Sequence, residues 1–182
     1  ILIVGSGDEL VNHRLGVETF IKNKKPIVVA LNTKEYISNE LIDLRIACHP
    51  IRLLADFERH LNLPQPLIIP LSLLPRDLSG KFLNKEILDF GLGISNDSFE
   101  FSSKYCLIPK PLVFAYAIAM AVSGKARKIY LAGFDGFKDD ILRNEEVDEI
   151  IEKFLLTNSS LELTAITPTL FKGIKSISVY GI

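Results

Sequence analysis

The sequence predicts an α/β domain of the Rossmann-like kind, a three-layer sandwich built on a mostly parallel sheet. Three observations carry this prediction. Short, continuously apolar runs recur along the chain, Ile1-Leu2-Ile3-Val4, Ile27-Val28-Val29-Ala30-Leu31 and Ile129-Tyr130-Leu131-Ala132, as strands buried on both faces require. Segments with apolar residues at helical spacing alternate with these runs. The composition is 48% hydrophobic and 24% charged, with a mean hydropathy of +0.26, apolar enough to line both faces of a covered sheet. At 182 residues the whole chain, 1–182, fits a single domain with one core.

The first run stops at Gly5. Residues 9–23 then place Leu10, Val11, Leu15, Val17, Phe20 and Ile21 at helical spacing, with Asp8 and Glu9 at the start and lysines 22, 24 and 25 at the end, the charge order that suits a helix dipole. Pro26 ends this helix, and the second run completes a βαβ unit within about 30 residues. Residues 43–48 are expected as a third strand, and residues 51–61 as an amphipathic helix opened by Pro50. Residues 67–70 and 86–90 are short strand candidates joined by a turn-rich stretch, 74–80. Residues 91–98 read as a loop, with 99–101 and 105–108 extended around it. Pro111 opens a long apolar helix that runs to Ser123 and is capped by Gly124. Residues 127–132 form another buried strand ending at Gly133. A polar helix over 143–156, a strand over 161–166 and an edge strand over 177–180 complete the pattern.

Charge and composition narrow the functional classes. Lys and Arg number 21 against 22 Asp and Glu, a net charge of -1, so no basic stripe is expected and nucleic acid is not an expected partner. Cys48 and Cys106 lack CxxC spacing and are expected as buried free thiols. Free thiols suit a cytoplasmic chain, and the longest apolar stretch, 111–122, is short of the roughly 20 residues a spanning helix needs, so no membrane partner is expected. The chain begins on Ile1, already within a strand, and is expected to be excised from a longer protein.

A parallel sheet with right-handed crossovers places ligands outside the carboxyl ends of its strands. The residues there are the candidate ligand-binding set: Gly5, Ser6, Gly7, Asn32, His49, Gly133, Asp135 and Thr167. Glycines at 5 and 7 can let backbone amides approach a phosphate, with the positive end of the following helix behind them, although a tight strand-to-helix turn needs small residues even when nothing binds. The third glycine of the dinucleotide fingerprint is replaced by Leu10, which disfavours NAD. Asp8 and Glu9 would repel a phosphate, yet serve equally well as helix caps. Asn32 can read a ribose or base, or be a turn residue with left-handed geometry. His49 can act as a general acid or base, or be a turn residue without chemistry. Asp135, between Gly133 and Gly136, can meet a ribose hydroxyl, a metal or a sugar, or accept local amides in a turn. Thr167, with Pro168 and Thr169, can line the same rim or simply end the last strand. The three histidines have no HxH or HExxH spacing, and neither a GxSxG elbow nor a P-loop lysine occurs, so no complete catalytic set is named.

Four segments together, Ile1 to Gly7, Ile27 to Asn32, Ile129 to Gly136 and Ile166 to Thr169, are similar to the carboxyl-terminal domain of bacterial proteins that resemble 4-hydroxy-2-oxovalerate aldolases of the pyruvate-aldolase superfamily. Those proteins are often linked to surface-polysaccharide synthesis. The resemblance implies an accessory, ligand-binding domain of an aldolase-type lyase, attached to an amino-terminal barrel that holds the divalent metal and performs the carbon–carbon chemistry. The domain itself would need no cofactor, and its ligand would be a sugar or a nucleotide. The first segment also resembles the Gly-x-Gly-Pro-Ser turn of bacterial sialyltransferases and pterin-pyrophosphokinase-like domains, with Asp8 and Glu9 in place of the Pro-Ser pair. That likeness implies instead a nucleotide- or nucleotide-sugar-dependent transferase. A third alternative is a non-enzymatic assembly module that forms homo-oligomers through the edge strand expected at 177–180.

Overall fold

A computed structural model describes residues 1–75, 82, 84–96, 98–157 and 161–182. The apolar runs become the strands of a sheet: β1 (Leu2–Val4), β2 (Val28–Leu31), β3 (Leu44–Ile46), β4 (Leu67–Ile69), β5 (Ile87–Asp89), β9 (Ile129–Ala132), β10 (Leu163–Ala165) and β11 (Lys175–Ser176). Its eight strands run in the order β11-β10-β9-β1-β2-β3-β4-β5, and every neighbouring pair is parallel. From β1 the chain moves outward through β5, then returns to the other side of β1 to lay down β9, β10 and β11. The topological switch point, where such sheets open a crevice, therefore lies between β1 and β9.

Successive side chains alternate across the sheet. Ile3, Val29, Leu31, Ile46 and Leu131 pack with α5 (Val113–Ser123) and α6 (Ile141–Thr157) on one face. Leu2, Val4, Val28 and Ala30 face α1 (Asp8–Asn12) and α2 (Arg14–Lys24) on the other. On that same side Leu67 and Ile69 pack under α3 (Pro50–Ala55) and α4 (Phe57–Asn62). These are the three layers the composition predicts. α5 is buried over nearly its whole circumference, with Ala115 through Ala119 fully covered, because a second sheet lies on its outer side. That sheet has the order β6-β8-β7, from β6 (Gly91–Ile94), β7 (Glu100–Phe101) and β8 (Tyr105–Ile108).

Four expectations need correction. Residues 9–23 and 51–61 are each two helices joined by a kink rather than one continuous helix. At the joints, His13 has φ -108° and ψ 15°, and Asp56 has φ -102° and ψ 18°, outside helical values. The hydrogen-bond ladder meets at each joint residue: His13 N–H donates to the Glu9 carbonyl and the His13 carbonyl accepts Val17 N–H, and Asp56 N–H donates to the Arg52 carbonyl and the Asp56 carbonyl accepts His60 N–H. The loop expected at 91–98 contains β6, which pairs in parallel with β8. Glycine weakens a strand read in isolation, but a Cβ on Gly91 would lie 2.9 Å from Tyr105 Cβ, and one on Gly93 2.4 Å from Leu107 Cδ2, so the neighbouring strand packs closely over both positions, with only the Leu107 side chain free to give way. The edge strand expected at 177–180 lies earlier instead, as β11 at Lys175–Ser176, and a 3₁₀ turn (Val179–Gly181) follows it. Ile177 and Val179 donate to the Ala165 and Ile166 carbonyls, and this curls the segment inward to bury Val179. The turn-rich stretch 74–80 lies in part, at 76–80, outside the described residues. Both cysteines are free and buried, and burial pushes each thiol up to about 12.

Candidate functional site at the switch point and its rim

The turn after β1 is bonded to the turn after β9. Gly5 N–H donates to the Ala132 carbonyl at 2.8 Å, and Gly7 N–H to the Gly133 carbonyl at 2.9 Å. A Cβ on Gly5 would stand 2.4 Å from the Gly133 oxygen, so glycine here permits two backbones to touch. Gly133 itself has φ +74°, and its N–H donates to Thr167 Oγ1 at 2.9 Å. Thr167 is thus a buried clamp on this turn, while Ser6 stays exposed.

Asp135 completes the arrangement. Its Oδ2 accepts the Glu9 N–H at 2.8 Å, and a Cβ on Gly7 would lie 2.3–2.5 Å from its carboxyl atoms. The space that Gly7 leaves at the start of α1 is therefore filled by a carboxylate of the chain itself. Burial pushes the Asp135 carboxyl above its ordinary value. The Glu9 amide pulls it back, the Glu9 and Asp8 charges push it up further, and Lys138 opposes them. Its Oδ1 is buried with no hydrogen-bond partner among the described residues.

Asn32 and His49 stand in other environments. Asn32 has φ +55°, the left-handed turn geometry. Its N–H donates to the Ile46 carbonyl, and its carbonyl accepts Arg45 Nη1 at 3.1 Å. Arg45, 1% exposed, also donates to the Lys34 carbonyl, to Asn39 Oδ1 and to Gln65 Oε1 at 2.9, 2.7 and 2.8 Å. A buried guanidinium thus organises the whole turn after β2. Its signal in the sequence was an arginine inside an otherwise apolar strand. His49 occupies the position before α3, and its Nδ1 is buried without a partner among the described residues. Of the predicted set, Gly5, Gly7, Gly133, Asp135 and Thr167 come together, whereas Asn32 belongs to the Arg45 network and His49 to neither.

An open crevice of about 320 Å³ lies beside this cluster, at the ends of β10 and β11. His13, Pro168, Thr169, Ser176, Ser178 and Tyr180 are among the residues that line it. His13 and Tyr180, 167 positions apart, share a 3.2 Å contact between Nδ1 and the phenol oxygen. Spacing rules pass over His13 because its partners are distant in sequence, Glu9 excepted. Another hollow, of about 350 Å³, is lined by residues 54–59 at the α3–α4 kink and gathers nothing from the strand ends.

No family model, curated protein or solved structure matches the chain. Among the described residues, no group of three or more His, Cys, Asp or Glu is placed to hold a metal ion, and no helix is long and apolar enough to cross a membrane.

Proposed function

We propose that the chain is an accessory, ligand-binding domain of an aldolase-type lyase in carbohydrate or surface-polysaccharide metabolism. The observation that favours this reading over the transferase alternative is the Asp135 carboxylate on the Glu9 amide. A nucleotide-dependent transferase of this architecture would hold its donor phosphate at that amide. Here a phosphate would have to expel Asp135 and then sit beside Asp8 and Glu9, so both space and charge oppose it. The glycines of the first motif are accounted for by the contact between the β1 and β9 turns, without a ligand. Carbon–carbon chemistry then belongs to the barrel and its divalent metal, and this domain contributes recognition.

Calorimetry with CMP, UMP, ADP and their sugar conjugates tests the reading. No heat is expected from binding at the first turn. Tight binding of any of them that is abolished by Gly7→Val would establish the transferase alternative in its place.

A further inference from the structure

The crevice at the ends of β10 and β11 lies outside the switch point. The His13–Tyr180 pair is part of its lining. His13 sits at the α1–α2 kink, with Nε2 3.4 Å from Glu9 Oε2 and Nδ1 3.2 Å from the Tyr180 oxygen. Nδ1 and the phenol oxygen share one hydrogen bond, whose donor is set by the ring tautomer. In either direction the Tyr180 oxygen keeps a lone pair to accept from a ligand.

The Tyr180 ring lies against Gly16 on one side, where an added Cβ would be 2.8 Å from Cε1. Even so, Tyr180 is 67% exposed, leaving an aromatic surface open to solvent. Hydroxyls surround it. Thr169 Oγ1 accepts the Phe171 N–H, and Ser178 Oγ accepts the Tyr180 N–H, so each keeps its own proton to donate outward. Ser176 adds a third hydroxyl, and Ile166, Ile177 and Pro168 supply apolar surface. The lining contains no Lys or Arg, and the nearby Lys175 is paired with Glu162 at 3.2 Å. Such a site has hydroxyl donors and acceptors and an apolar ring face, with no Lys or Arg lining it to neutralise an anion.

We infer that this crevice binds a neutral sugar ring, its C–H face on Tyr180 and its hydroxyls on Tyr180, Thr169, Ser176 and Ser178. The volume lies at the small end of the roughly 300–1,000 Å³ of small-molecule sites, the size of a single ring. The inference rests on the ligand-binding reading above and names the class of ligand.

Saturation-transfer NMR on the whole chain, with methyl glycosides of glucose, galactose and N-acetylglucosamine and with glucuronate as the charged comparison, provides the test. Ring C–H protons of at least one neutral glycoside should be saturated, and the His13 ring resonances should shift with it. Tyr180→Ala should weaken that binding by about tenfold or more. Ser176→Tyr, which fills the crevice from an exposed position, should do the same without disturbing the contact with Gly16. Absence of signal from all three glycosides, unchanged binding in Ser176→Tyr, or tighter binding of glucuronate would each overturn the inference. Nucleotide heat that Gly7→Val removes and Ser176→Tyr leaves intact would instead overturn the accessory-domain reading, so the two failures are distinguishable.

Discussion

Gly7→Ala probes the contact on which the functional reading turns. Gly7 has φ -74° and ψ 151°, a conformation alanine adopts freely, so any cost must come from space. The new Cβ would lie 2.3–2.5 Å from the Asp135 carboxyl atoms, and that side chain would have to move. Moving it breaks the 2.8 Å bond to Glu9 N–H, and a hydrogen bond to a charged group contributes about 1.5–3 kcal/mol. Two effects offset this. Alanine restricts the unfolded chain, a gain of about 0.4–1 kcal/mol, and release of a half-buried carboxylate from Glu9 and Asp8 relieves its raised pKa. A net loss of about 1–2 kcal/mol follows, which for a chain of this size lowers Tm by about 2–8 °C. Thermal melts of both single variants and the double variant with Asp135→Ala measure the coupling. In the Asp135→Ala background, Gly7→Ala should be neutral or stabilising. Equal costs of Gly7→Ala in the two backgrounds would refute the claim that Asp135 fills this space.

Two further outcomes concern buried polar groups. His60 is 2% exposed, and its pKa is pushed down to about 4 by burial, with Arg45, Lys85 and Arg59 adding to the effect and Asp56 opposing it. Its folded value lies below the unfolded value of 6.5, so its contribution is complete above pH 6.5 and is lost as pH falls toward 4, by about 3 kcal/mol in all. Urea denaturation of wild type and His60→Leu at pH 7 and pH 4 should show a distinctly smaller pH loss in the variant, and equal losses would contradict the assignment. Arg45→Met roughly keeps the volume but removes the guanidinium from the Asn32 and Lys34 carbonyls and Gln65 Oε1, and leaves Asn39 Oδ1 only its longer contact with Gln65. A loss of about 3 kcal/mol or more is expected from chemical denaturation, and a loss under about 1 kcal/mol would mean that water replaces the guanidinium without penalty.

The local order of the chain is legible in its residues alone. Ile3, Val29 and Leu131 lie in runs of four or five residues apolar at every position, the length and pattern of strands covered on both faces, so the alternation with helices implied a parallel sheet without any knowledge of strand order. The same logic placed Gly5, Gly7, Gly133 and Asp135 at strand ends. It could not determine what they do there, because that depends on β9 lying next to β1, a neighbour set more than a hundred residues away. Only that pairing turns the room left by Gly7 into a seat for Asp135. The strand at Gly91–Ile94 was hidden for a related reason, since its glycines answer to Tyr105 and Leu107 across the ladder and not to their own periodicity. His13 and Tyr180 meet because the last turn curls back onto α2 to bury Val179. Periodicity records whether a residue is covered, whereas tertiary structure decides by which partner, and the chemistry of the site resides in that second choice.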